Sequence, residues 1–296
     1  MAAHGQTKNG FDLSNASVSP DEIRRGGPPR DGIPSIDSPK FVSGDDAEFL
    51  KDKDRVLGVS RNGIAKAYPI RILDYHEIVN DQFGDEAIVV SYCPLCYTGI
   101  VFSAQAADFN FTFGVSGLLY NSDVLLYDRQ TGSLWSQILS RSISGQLKGT
   151  ALPAVPASHT TWRDWSARHP DTIVLSTDTG YRRDYRRSPY LGYTQTGRLM
   201  FPVENKNDEY RNKSLVLGIT FDGQTRAYPF EELEAQEMQQ FNDVIGDKTI
   251  TIEWFESDSF ARVLDDKGQE LPSVIAFWFA WYAFHPDTEI FRASAR

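Results

Sequence analysis

Cys93 and Cys96 are the two cysteines of this 296-residue chain, and they stand three residues apart as C-P-L-C. Two sulfurs so spaced in a turn can face one point, where they hold a soft metal or close a reversible disulfide. A Cys₄ zinc site within one chain is excluded by the count. A metal must therefore recruit other ligands, or accept two thiolates as copper(I) does. His76, on the segment just before, completes a candidate ligand set of Cys93, Cys96 and His76. That set suits copper, or zinc with an open fourth position. With copper, Cys93 and Cys96 would also be the catalytic centre of an oxidoreductase doing one-electron or oxygen chemistry. Tyr97, Asn121, Asp123, Arg129, Trp135 and Gln137 are the residues expected to line the approach and bind substrate, with Ser122 and Asp128 beside them. Turn formation competes for these, because tight turns use Asn, Ser and Asp. Whether the substrate is a small molecule or a protein is not written in the chain.

Two other readings use the same pair. C-x-x-C is the spacing of thiol–disulfide redox proteins. Those dithiols open a helix, whereas Thr98–Phe102 reads as a strand. Alternatively the chain is a non-enzymatic binding module in which the cysteines form a structural disulfide. A cysteine can also be no more than a small buried hydrophobe. Ser116 in Gly114-Val-Ser-Gly117 misses the G-x-S-x-G spacing of a hydrolase nucleophile.

The elements around the cysteines read mainly as β. Ala87–Tyr92 is apolar and β-branched, as a buried strand is. Pro94 cannot donate in a central ladder, so the C-P-L-C must turn. Upstream, Val56–Ser60 and Ile64–Tyr68 flank Asn62-Gly63, a hairpin signal. Pro69 opens a short helix over residues 70–79 that carries His76 and Glu77. Residues 1–20 are polar and read as a flexible arm, and 21–54 as a Gly/Pro-rich ordered coil. The expectation is a mainly β protein with few short helices.

The order of elements then recurs. Val56-Leu-Gly-Val59 returns as Val216-Leu-Gly-Ile219, and Ala67-Tyr-Pro69 as Ala227-Tyr-Pro229. Trp162, Trp165 and His169-Pro-Asp-Thr172 return as Trp278, Trp281 and His285-Pro-Asp-Thr288. This predicts two related, internally duplicated units packed as one globular body: 55–180 with the C-x-x-C, a connection over 181–213, and 214–296 as a structural copy. The second copy has Phe255, Asp258 and Met238 where the first has Cys93, Cys96 and His76. The first also carries an insert of about 45 residues after the cysteine strand. His169 and His285, present in both, are expected to end helices. His159 is expected in a solvated loop.

A formal charge of −10 argues against nucleic acid or an anionic membrane as partner. No apolar run has the length of a membrane span. The first ten residues lack a basic start and an apolar core, so they do not read as a signal peptide.

The chain resembles members of a family known only as domain of unknown function 3179. The likeness rests on Gly26-Gly-Pro-Pro-Arg-Asp-Gly-Ile-Pro34, Tyr75–Asp81, Tyr92-Cys-Pro-Leu-Cys96, Phe113–Ser122, Tyr127–Gln137 and Phe277–Trp281. It implies no reaction, but it implies that members are often exported, so a processed, exported form is an expectation. One departure is Tyr97, where the resemblance implies a small residue, often Gly. A Tyr there would narrow the mouth of the site.

Overall fold

In the computed structural model, residues 7–106, 109–236 and 238–293 are described. Strand accounts for 42% and helix for 12%, which makes the protein mainly β with a few short helices. Five sheets of three to five strands carry the fold, and their arrangement resembles a five-bladed β-propeller.

Two of the sheets share a strand order. One runs Ser158–Thr161, Arg55–Arg61, Ile64–Pro69, Ile173–Leu175, with Phe41–Ser43 added at its edge. The other runs Val274–Phe277, Leu215–Phe221, Gln224–Pro229, Glu289–Ile290. In both, the first three strands are antiparallel and the fourth is parallel to the third. The side chains match as well. Gly58 lies under the Trp165 ring and Gly218 under Trp281, where an added Cβ would stand 2.1 and 2.2 Å from ring carbons. Each indole donates to a threonine, Thr172 at 2.8 Å and Thr288 at 3.1 Å. His169 and His285 stack on those indoles and cap the helices Trp162–Arg168 and Trp278–Phe284. Tyr68 donates to Asp81 and Tyr228 to Asp243, each carboxylate also paired with a cation, Lys66 or Arg226.

The cysteine strand Glu86–Cys93 pairs with Ile78–Phe83 and Thr98–Ser103 in a third sheet. Its counterpart is Lys248–Phe255 between Gln240–Ile245 and Phe260–Leu264. Each strand-end turn is tied to a distant part of the chain. Cys96 O accepts from Phe277 N at 2.9 Å, and Asp258 accepts from Thr161 Oγ1 at 3.0 Å. The segment expected as an insert forms the antiparallel sheet Phe113–Tyr120, Asp123–Asp128, Leu134–Ser136, Arg141–Ser144, edged by Ile23–Arg25. This sheet lays the turn Asn121–Ser122 and Asp123 against the cysteine turn.

Several expectations need correction. Residues 1–6 of the expected arm lie outside the described residues. Residues 7–20 are no loose arm: they contain two short paired strands, and Phe11 and Leu13 are buried among Ile23, Leu118 and Tyr127. Apolar side chains in a polar segment suffice to fasten it. The coil over 21–54 is pinned by strand pairing at both ends and by the Ile36–Val79 bridge. The helix expected over 70–79 ends at His76, because Glu77 turns left-handed at φ 56° and a strand follows from Ile78. His159 is not solvated. It lies in a strand, is buried, and stacks on Tyr97 with ring centroids 4.8 Å apart.

Candidate metal centre

The cysteine turn follows from local chemistry. Cys93 pairs across the strands with Thr98, and the reversal between them holds Pro94 and Leu95. Cys96 N closes it by donating to Cys93 O at 3.2 Å. Tyr97 completes it at φ 61°, a conformation that glycine adopts without strain and tyrosine does not. That geometry accounts for the expectation of a small residue there. The Tyr97 ring stacks between His159 and Phe277, and it is not among the residues that line the cavity beside the cysteine turn.

Cys93 Sγ, Cys96 Sγ and a carboxylate oxygen of Asp123 all lie within 4.8 Å of one another, and all three residues are buried. Both cysteines are free thiols, so the structure contains no disulfide between them. Both thiols point at Ser122 O, at 3.8 and 3.4 Å. Asp123 accepts from Ile138 N at 3.2 Å, and its other carboxylate oxygen lies 3.4 Å from Thr98 Oγ1. Behind it, Gln137 holds Thr98 and Ser91, accepting from Thr98 Oγ1 at 2.6 Å and donating to Ser91 Oγ at 2.9 Å.

The electrostatics are one-sided. Burial pushes the Cys93 thiol up and the Cys96 thiol further, and the nearby Asp123 charge adds to both. Burial lifts Asp123 to about 7. Glu77 is pushed up to about 8 by burial and then by the charges of Asp123 and Asp74. Asp74 itself is raised to about 6 by burial. Acids crowded together out of water hold their protons until a cation takes their place.

His76, expected as a ligand, is not in this group. Its Nδ1 lies 2.7 Å from Pro34 O and its Nε2 2.6 Å from Tyr185 Oη. Both ring nitrogens are thus committed to fastening the N-terminal coil and the 181–213 segment. Glu77 is the neighbour that faces the cysteines: with Cys93 it lines a cavity of about 400 Å³. The left-handed turn at Glu77, just past the helix end, sends its side chain a different way from that of His76.

Of the expected substrate residues, the structure brings Asp123 alone into the thiol group. Asn121 bonds Ala283 O and the backbone N–H of Glu204. Gln137 is a buried brace behind Asp123. Arg129 pairs with Asp37 and Ser35 on the N-terminal coil. Trp135 sits in the core against Phe111 and Phe113, its N–H on Asp128. Ser116 donates to Leu125 O and is buried in a strand irregularity. Sequence reasoning counted Asp123 as a substrate contact and passed over Glu77. The available signal for Asp123 was an acid heading the apolar run Val124–Tyr127 inside a site-bearing insert.

The model of one protein family matches residues 30–269, and its description reads "Protein of unknown function (DUF3179)". The match spans most of the chain, and the chain belongs to that family. No curated protein and no solved structure matches it.

Proposed function

We propose that this chain is a metal-binding protein whose ion is held by Cys93, Cys96 and Asp123. The observation that carries the reading is the mutual approach of three buried ligand atoms within 4.8 Å. A tetrahedral zinc ion has bonds of about 2.0–2.3 Å, so small side-chain shifts suffice to clasp it. The raised thiols and carboxyl support the same reading, since an ion would replace protons the site otherwise retains. Three protein ligands leave a fourth position open, the pattern of reactive rather than structural zinc sites.

The donor set bears on the metal. Two thiolates alone suit copper(I), whereas a carboxylate is a hard ligand that zinc accepts and copper(I) does not favour. Zinc is therefore the first expectation, and copper the second. Only copper would add the one-electron chemistry of an oxidoreductase. The redox-dithiol reading is weakened by buried thiols held protonated, in a turn between two strands and not at a helix start. We further propose that the two units descend from one duplicated unit, the second having kept the Gly–Trp scaffold without the ligands.

Elemental analysis after loading tests the reading. One equivalent of zinc or copper per chain is expected, and none in a Cys93→Ser/Cys96→Ser variant. Failure to take up either metal with both thiols reduced would remove the proposal.

A further inference from the structure

The cavity beside the cysteine turn has a composition that selects its contents. Leu95, Val115, Leu119 and Val124 supply apolar walls, and the volume is about 400 Å³. That falls in the range of small-molecule sites, about 300–1,000 Å³ with a few placed polar groups. The titratable lining groups are Glu77, Cys93 and Tyr190. No Lys, Arg or His belongs to the described lining. Asp123 and Asp74 stand close enough to act on Glu77 through their charge. An anion entering here would meet acids and no counter-charge, at the full cost of burying an unpaired charge. A hydrogen-bond donor would meet the Glu77 carboxyl and the Cys93 sulfur.

Part of the wall comes from the 181–213 segment, expected from sequence as a mere connection. Tyr190, Met200 and Phe201 line the cavity. The segment is tied down by Tyr193 Oη donating to Leu95 O at 3.1 Å and Ser122 Oγ to Phe201 O at 2.9 Å. Met200 is 60% exposed, so it stands at the rim.

We infer that this cavity is the substrate site: it takes a largely apolar small molecule without negative charge, whose donor-bearing end, such as an amine N–H, faces Cys93 and Glu77, and it excludes anions. The inference rests on the proposed metal site only for what that end meets; the cavity and its charge selection stand without a metal.

Two fluorescent probes with one aromatic skeleton separate the cases. N-phenyl-1-naphthylamine is neutral and carries one N–H; 8-anilinonaphthalene-1-sulfonate adds a sulfonate. The full chain is expected to bind one equivalent of the amine at least about tenfold more tightly than the sulfonate. Leu119→Trp, which fills the interior, and Met200→Trp, which obstructs the rim, should each weaken the amine by about tenfold or more. Met200 is exposed, so its replacement keeps the test valid should Leu119→Trp not fold. Equal or tighter binding of the sulfonate would overturn the inference. So would undiminished amine binding in folded Leu119→Trp, or in Met200→Trp if the former does not fold. Zinc uptake measured on the same samples reports on the metal separately: a chain that binds the amine as described and takes no zinc keeps the cavity assignment and loses the metal.

Discussion

Asp123→Asn is expected to weaken zinc binding by more than about a hundredfold, because even residues outside the ligand shell cost 10–100-fold when replaced. The same substitution is expected to raise the melting temperature of the metal-free protein at pH 8. The two effects have one origin. Asp123 is buried with two thiols, and its carboxyl is held up to about 7. Such a group contributes stability below its unfolded value and loses it as pH rises through the folded one. Asn cannot ionise, so it escapes that loss, and its removal of charge also relieves Glu77. A purely structural Asp123, needed as a charged acceptor of Ile138 N, would give the opposite outcome, since the weaker neutral amide acceptor of Asn would lower stability at pH 8. Calorimetry on metal-free protein and a competitive zinc titration read the two arms.

The second large effect is on pH dependence. Asp74, Asp123 and Glu77 are raised to about 6, 7 and 8, all above the unfolded carboxylate range. The folded state therefore binds protons more tightly than the unfolded state. Stability from these groups is complete below about pH 4 and declines as pH climbs through 6 to 8. Buried His159 and His285 act in the other direction. Their folded values are depressed, so they favour the folded state above about pH 6.5 and penalise it below. The metal-free protein should thus be most stable near the middle of the acid range, with a decline toward pH 8 that zinc abolishes. Metal affinity should rise steeply with pH, because both thiols must lose protons to bind. Two protons released per ion correspond to about a hundredfold in affinity per pH unit. Thermal melts from pH 5 to 8.5, with and without zinc, check the first, and titrations at pH 6, 7 and 8 the second. An affinity flat with pH would show that the thiols are not ligands.

Much of the scaffold was legible because its signals are local. Asn62-Gly63 between alternating runs marks a hairpin, and Pro94 between two cysteines marks a turn. The matching of Gly58 with Gly218 and of Trp165 with Trp281 could be read as a pattern before its cause was visible. The cause is steric: the indole occupies the space of a Cβ. The site was legible only in its thiols. Asp123 sits at the tip of the local hairpin Phe113–Tyr120/Asp123–Asp128, and no spacing encodes the docking of that tip on the distant cysteine turn. His76 attracted attention by residue type, but the helix expected to run to residue 79 ends at His76, with Glu77 left-handed at φ 56°, and the imidazole is held by Pro34 and Tyr185. Tyr97 was misplaced for a related reason. Its backbone belongs to the cysteine turn, while its ring belongs to an aromatic stack with His159 and Phe277. The 181–213 segment looked like a connection because its polar composition hides four aromatic anchors, Tyr185, Tyr190, Tyr193 and Phe201, that pack it down.

X-ray absorption at the zinc edge of the loaded protein is the most direct test of the centre itself. The expected first shell is two sulfurs at about 2.3 Å and one or two oxygens at about 2.0–2.2 Å. A shell of oxygen and nitrogen without sulfur, or of four sulfurs shared between chains, would contradict a site built from Cys93, Cys96 and Asp123.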